Sequence, residues 1–188
     1  MPVTLPPLRE HLSPNASSRR GTVPYLVVLH RPVGSYRGAE ATLVDPRPEN
    51  PDEAVSAHLL TNSNREAVQL VPWDRKAWTC RAFNSASYNL EIDDDAWNGN
   101  DAAALATAAR VTAFLCKRTG IPPQWTRDPA NVPGVCRHYD LGRAGGGHTD
   151  PTTDANTWRH FMDLTRREHE RDGFRPAWGV GVLHRIDV

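Results

Sequence analysis

Net charge is the first thing this chain lacks. Its 188 residues carry 22 Lys and Arg against 22 Asp and Glu, a formal sum of zero. A balanced chain offers no nucleic-acid footprint and no polybasic patch for an anionic membrane. Cysteine is scarce too: Cys80, Cys116 and Cys136 are odd in number and form no CxxC pair. That excludes a complete disulfide framework and a zinc ribbon, and leaves three small buried thiols as the expectation. No run approaches the ~18 apolar residues that would span a bilayer, so no direct membrane insertion is expected. The N-terminus has no charged region leading into an apolar one and does not read as a secretory signal. There is no GxSxG elbow for a serine hydrolase, and the glycines at Gly145–Gly147 are not followed by the Lys-Ser/Thr of a phosphate loop.

Proline, by contrast, is abundant, with 16 residues, and tryptophan (6) outnumbers phenylalanine (4). The length suits one domain. Residues 1–22 read as an extended lead-in, with a helical turn near Leu8–Leu12. The domain proper spans 23–172, and 173–188 reads as a tail or the start of a linker. Tyr25–Leu29 is a short apolar run between Pro24 and Pro32, the pattern of a buried central strand ending at His30. Residues 31–54, with four prolines and two glycines, read as a long loop. Ser56–Thr61 and Glu66–Val71 form a hairpin pair, and Ala77-Trp78-Thr79 pairs briefly after them. Ser87–Ile92 alternates: Tyr88, Leu90 and Ile92 share one face, Ser87, Asn89 and Glu91 the other. Asp101–Thr119 is an alanine-rich helix closed by Gly120, with Leu105, Ala108, Thr112 and Leu115 inward. Residues 121–153 read as a second Pro/Gly-rich loop. A last helix from about Asp154 to Arg171 buries Trp158, Phe161, Met162 and Thr165. Strands first, with helices interleaved and later, imply an α/β fold in which helices flank a central mixed sheet.

Few residues carry chemistry in this pattern. His30 ends a buried strand, where ligands of open sheets gather. His138 and Asp150 bracket a glycine-rich stretch that can fold back and bring both inward. Two histidines and a carboxylate form a zinc set with an open fourth position, although His138 also suits a simple turn cap. Glu91 on its strand is either part of a solvated face or held by a partner or metal-bound solvent. His58 is either a satisfied sheet histidine or a substrate contact.

Four segments in order resemble the zinc N-acetylmuramoyl-L-alanine amidases of type 2, a family that includes the peptidoglycan recognition proteins. Tyr25–His30 resembles the strand that ends in the first zinc histidine. Ser56–Leu60, Ala67–Pro72 and Lys76–Trp78 resemble the hairpin and the Ala-Trp that follows it. Asn84–Ile92 resembles the strand with the active-site glutamate. His138 and Thr149-Asp150-Pro151 resemble the remaining zinc positions. The resemblance covers about residues 20–170. It implies one Zn2+ on His30, His138 and Asp150, Glu91 as catalytic base, and hydrolysis of the amide between N-acetylmuramic acid and L-alanine in bacterial peptidoglycan. It implies His148, where relatives carry lysine, as a second catalytic group at the oxyanion, and Trp78, Asn84 and His58 as substrate contacts. Other departures are Thr152 for glycine, Ala57 for a tyrosine, Thr79 for a histidine, and a loop instead of the helix that follows the first strand in many relatives. A monomeric phage endolysin, made in the host cytoplasm and released by a holin, is the implied setting. A recognition module that binds peptidoglycan without cutting it, and a zinc hydrolase of another amide, are the alternatives.

Overall fold

The computed structural model describes residues 7–47, 49, 53–62 and 66–171. Among these residues the strands are β1 (Leu8–Glu10), β2 (Ala16–Ser18), β3 (Leu26–His30), β4 (Leu59–Thr61), β5 (Ala67–Gln69), β6 (Arg75–Ala77), β7 (Ser87–Ile92) and β8 (Gly134–Arg137). The helices are α1 (Tyr36–Val44), α2 (Asp94–Trp97), α3 (Ala102–Thr119), α4 (Gly142–Gly145) and α5 (Ala155–Glu170). Six strands form one sheet in the order β1-β5-β4-β7-β3-β8, while β2 and β6 form a separate antiparallel pair. Within the large sheet only β4 and β5 run antiparallel; every other neighbour is parallel. Fold class, the hairpin pair and the Ser87–Ile92 strand all follow the sequence pattern. The connecting residues 63–65 and the tail 173–188 lie outside the described residues.

Alternation along the central strands sorts the side chains into two layers. Val27, Leu29, Tyr88, Leu90, Ile92 and Val135 face α3 and α5, in one cluster with Phe114, Trp158 and Phe161. Leu26, Val28 and Cys136 face the other way, against Cys80 and Leu141. Both faces of β3 are fully buried, as an apolar run without alternation demands. Burial of Phe161 alone contributes roughly 1.5–3 kcal/mol. Helix α3 starts where Asp101 accepts the backbone N–H groups of Ala103 and Ala104, and ends at Gly120, whose φ of 73° closes the last turn. Asp154 caps α5 in the same way. All three cysteines are buried free thiols. Among the described residues no helix is long and apolar enough to cross a membrane.

Three local expectations give way. Leu8–Glu10 is not a helical turn but an edge strand, held by parallel pairing with Ala67–Gln69. Residues 31–54 are not all loop, because Tyr36–Val44 forms α1. Ser35 caps α1, and Ala39 and Leu43, one turn apart, bury against Leu60, Val68 and Leu70. The departure from family pattern expected after the first strand is thus removed. Residues 121–153 contain β8, a 3-10 turn at His138–Leu141, and α4. Residues 13–15 stitch the N-terminal part of the described chain into the fold. Ser13 Oγ donates to Leu43 O at 2.6 Å, and Asn15 Nδ2 donates to Asp45 O at 2.7 Å and Val55 O at 2.9 Å. The bonds to Leu43 O and Asp45 O satisfy carbonyls at the end of α1.

Candidate active site

The carboxyl ends of β7, β3 and β8 lie side by side, and the layer opposite α3 and α5 carries the polar groups. His30 closes β3. Glu91 sits beside it in register on β7. His138 is the first residue after β8 and opens the 3-10 turn. Asp150 arrives from the segment after α4, anchored where the backbone N–H of Tyr139 donates to its carbonyl oxygen at 2.9 Å.

Three of these side chains converge. His30 Nδ1 and His138 Nδ1 are 3.0 Å apart. Asp150 Oδ2 lies 3.4 Å from the first, and Asp150 Oδ1 3.2 Å from the second. The far nitrogens are already engaged: His138 Nε2 is 2.9 Å from Gly145 O, and His30 Nε2 is 3.0 Å from Asn89 Oδ1. Both oxygens only accept, so each Nε2 carries the proton and each Nδ1 presents a lone pair. Two lone pairs and a carboxylate facing one another repel unless a cation sits among them. A tetrahedral ion with bonds near 2.0–2.1 Å sets its ligand atoms about 3.3–3.4 Å apart, close to the spacing here. The residues therefore fit a metal ion, and Gly145 O and Asn89 Oδ1 supply the outer hydrogen bonds such sites use.

The protonation states agree. Burial pulls the His30 imidazole below its ordinary value and keeps it neutral. Burial works to raise the Asp150 carboxyl, but the imidazoles of His138 and His30 against it hold it well below the carboxylate range. Glu91 goes the opposite way: burial, then the charge on Asp150, pushes it up to about 8. Its Oε2 is buried without a hydrogen-bond partner among the described residues.

A cleft of about 550 Å3 opens over these groups. Its lining includes His30, Glu91, His138, His148 and Asp150, together with Ala39, Thr42 and Leu43 of α1 and Val55. His148 is exposed and stacks on His138 at 4.4 Å between ring centroids. Gly146 makes room for that ring: at φ 119°, a Cβ there would stand 2.9 Å from His148 Cδ2.

Residues 19–153, most of the chain, match the family model described as N-acetylmuramoyl-L-alanine amidase. The chain belongs to this amidase family. The amidase is thus a hydrolase acting on the amide that joins the glycan of bacterial peptidoglycan to its peptide stem. Solved structures share the fold. The AmiA hydrolase of Staphylococcus aureus matches at 18% identity and TM-score 0.67, covering 89% of this chain and 85% of that one. An AmpD structure matches at 25% identity and TM-score 0.59, covering 82% and 93%. An endolysin of Thermus scotoductus bacteriophage Ph2119 matches at 17% identity and TM-score 0.55, covering 78% and 87%. No curated protein sequence matches significantly.

Of the residues singled out in the amidase sequence, His30, His138, Asp150, Glu91 and His148 meet at the cleft. The three expected substrate contacts do not line it, and each has other work. Trp78 Nε1 donates to Ser17 Oγ at 2.9 Å. Asn84 Oδ1 accepts the N–H groups of Thr79 and Cys80 at 3.0 and 2.7 Å, closing a turn. His58 is fully buried behind the cleft, beside Arg19, Trp73 and Tyr88. Sequence reasoning missed Asn89, Gly145 O and the α1 lining of the cleft. Asn89 shares the strand face of Glu91, so the alternation already pointed at it. Gly145 O was hidden because backbone acceptors leave no mark in a sequence.

Proposed function

We propose that His30, His138 and Asp150 hold one zinc ion in this amidase, and that Glu91 and His148 carry out the proton and charge work. The observation that carries the reading is the pair of imidazole Nδ1 atoms 3.0 Å apart with the Asp150 carboxylate against both. The ion would supply Lewis acidity, polarising the scissile carbonyl and making water a competent nucleophile near neutral pH.

The remaining steps belong to the protein. Glu91 is sequestered from bulk water on the cleft face and titrates close to neutrality, where a carboxyl both accepts and returns a proton. It takes a proton from the attacking water and gives it to the departing amine of L-alanine. His148, free on the rim and stacked on His138, donates a hydrogen bond to the oxygen that gains charge in the tetrahedral intermediate. The apolar side chains of Ala39, Leu43 and Val55 suit the methyl groups that flank the scissile amide, a lactyl ether on one side and alanine on the other.

Two imidazole nitrogens and a carboxylate converging beside a buried carboxyl base favour cutting over recognition alone. Mass spectrometry of digested peptidoglycan tests this. New free L-alanine amino termini, dependent on added zinc, are expected. New sugar reducing ends, or no products from zinc-loaded protein, would overturn it.

The biological setting we infer is phage-driven lysis by a monomeric enzyme, supported by the fold shared with a phage endolysin. Purified protein should clear intact cell walls. Activity confined to soluble muropeptides would point to wall recycling instead.

A further inference from the structure

Asn89 lies one hydrogen bond behind the convergent triad, fully buried on β7. Its amide has only one way round. Ser87 Oγ donates its proton to Phe83 O at 2.8 Å, so it offers Asn89 only lone pairs. The amide atom 3.0 Å from Ser87 Oγ must then be the donor, Nδ2. Oδ1 consequently points the other way, to His30 Nε2 at 3.0 Å and to Cys80 Sγ at 3.2 Å. Burial pushes the Cys80 thiol up to about 12, so it stays protonated and adds a second donor to the same oxygen. The main chain of Asn89 is pinned as well, its N–H donating to His58 Nδ1 at 3.0 Å.

This arrangement decides where His30 keeps its proton. With the proton on Nδ1, the ring would donate to Asp150 Oδ2, only 3.4 Å away. That internal bond would close the triad on itself and leave no ligand atom on His30. A carbonyl oxygen at Nε2 draws the proton to the far side of the ring.

We propose that Asn89 is a positioning residue for metal capture: it selects the His30 tautomer that leaves Nδ1 open, against a competing bond to Asp150. The proposal rests on the zinc reading above.

Zinc affinity, measured by competition with a chromogenic chelator, tests it on the full-length protein, with thermal melts run alongside. Asn89→Ala should bind zinc roughly 10–100-fold more weakly. Asn89→Asp, which keeps an oxygen towards His30, should recover most of that loss, a recovery that general damage to the core would not give. Long-range 1H–15N spectra of metal-free wild-type protein should place the His30 proton on Nε2, a readout that needs no variant to fold. Wild-type affinity in Asn89→Ala, or a proton on Nδ1 in the wild type, overturns the part assigned to Asn89. A wild-type protein that takes up no zinc at all overturns the metal assignment and this proposal with it.

Discussion

His30 and His58 are both sheet histidines, at 1% and 0% exposure, yet only one belongs to a site. His58 has spent everything it owns. Its Nδ1 accepts the N–H of Asn89 at 3.0 Å, and its Nε2 donates to Arg75 O at 3.0 Å. Its ring stacks on Trp73 at 5.8 Å. Burial, then the positive charge of Arg19, pushes it down to about 3, so it stays neutral. His30 is equally buried and is held neutral by that burial, but its Nδ1 faces two other electron-rich atoms, His138 Nδ1 and Asp150 Oδ2. Burial and residue type do not separate a core histidine from a ligand; an unspent lone pair aimed at other lone pairs does.

The largest expected effect comes from breaking the His30 side of that contrast. Asp150→Ala removes the carboxylate between the imidazoles, and both zinc content and wall-clearing activity should vanish. Retention of a full equivalent of zinc by elemental analysis would show that the ion sits elsewhere. Glu91→Gln comes next. It leaves the three ligands in place, so zinc should remain while turnover falls by roughly 10²–10⁴-fold. Full activity in this variant would remove Glu91 from the chemistry. His148→Ala should lower kcat by roughly 10²-fold with KM nearly unchanged. A rise in KM alone would make His148 a binding group instead.

The smallest effect belongs to His58 and concerns stability. Its folded-state value lies below the unfolded value near 6.5, so its contribution is complete above about pH 6.5 and is lost as pH falls towards 3. One such group gives a slope of up to about 1.4 kcal/mol per pH unit across that window. Urea melts of metal-free protein at several pH values should show this slope reduced in His58→Gln. Zinc affinity should stay within a few-fold of wild type. An unchanged slope would mean that other groups carry the acid sensitivity.

Long periodic segments and two of the three strands that hold the site, β3 and β7, were legible in the sequence. Ser87–Ile92 emerged with its boundaries and its two faces, because alternation is a local signal that the sheet then uses. Asp101 and Gly120 marked α3 by backbone chemistry that any helix end requires. The misses share a cause. Leu8–Glu10 is a strand only because β5 pairs with it, and three residues carry no period of their own. Gly134–Arg137 is only one residue longer and was hidden by surrounding glycine and proline, although the buried Val135 and Cys136 sit within it. In α1, Pro32, Gly34, Gly38 and Pro46 outweighed the cap at Ser35 and the Ala39–Leu43 spacing. The metal triad was legible as residue types in order. Trp78, Asn84 and His58 were placed at the substrate by resemblance to a family, which says nothing about which side of a strand or turn a group occupies in this chain.

The site draws on residues 30, 91, 138 and 150, brought together by parallel pairing of β3 with both β7 and β8. Such pairings close long stretches of chain and form late. A half-folded chain therefore offers scattered imidazoles but no cage. An ion that binds only the finished arrangement adds its binding energy to the native state alone, about 2.7 kcal/mol at a free concentration one hundred times Kd. Metal supply would then act on this protein as a thermostat: the melting temperature should climb with free zinc, and chelation should lower it without touching a single contact in the core.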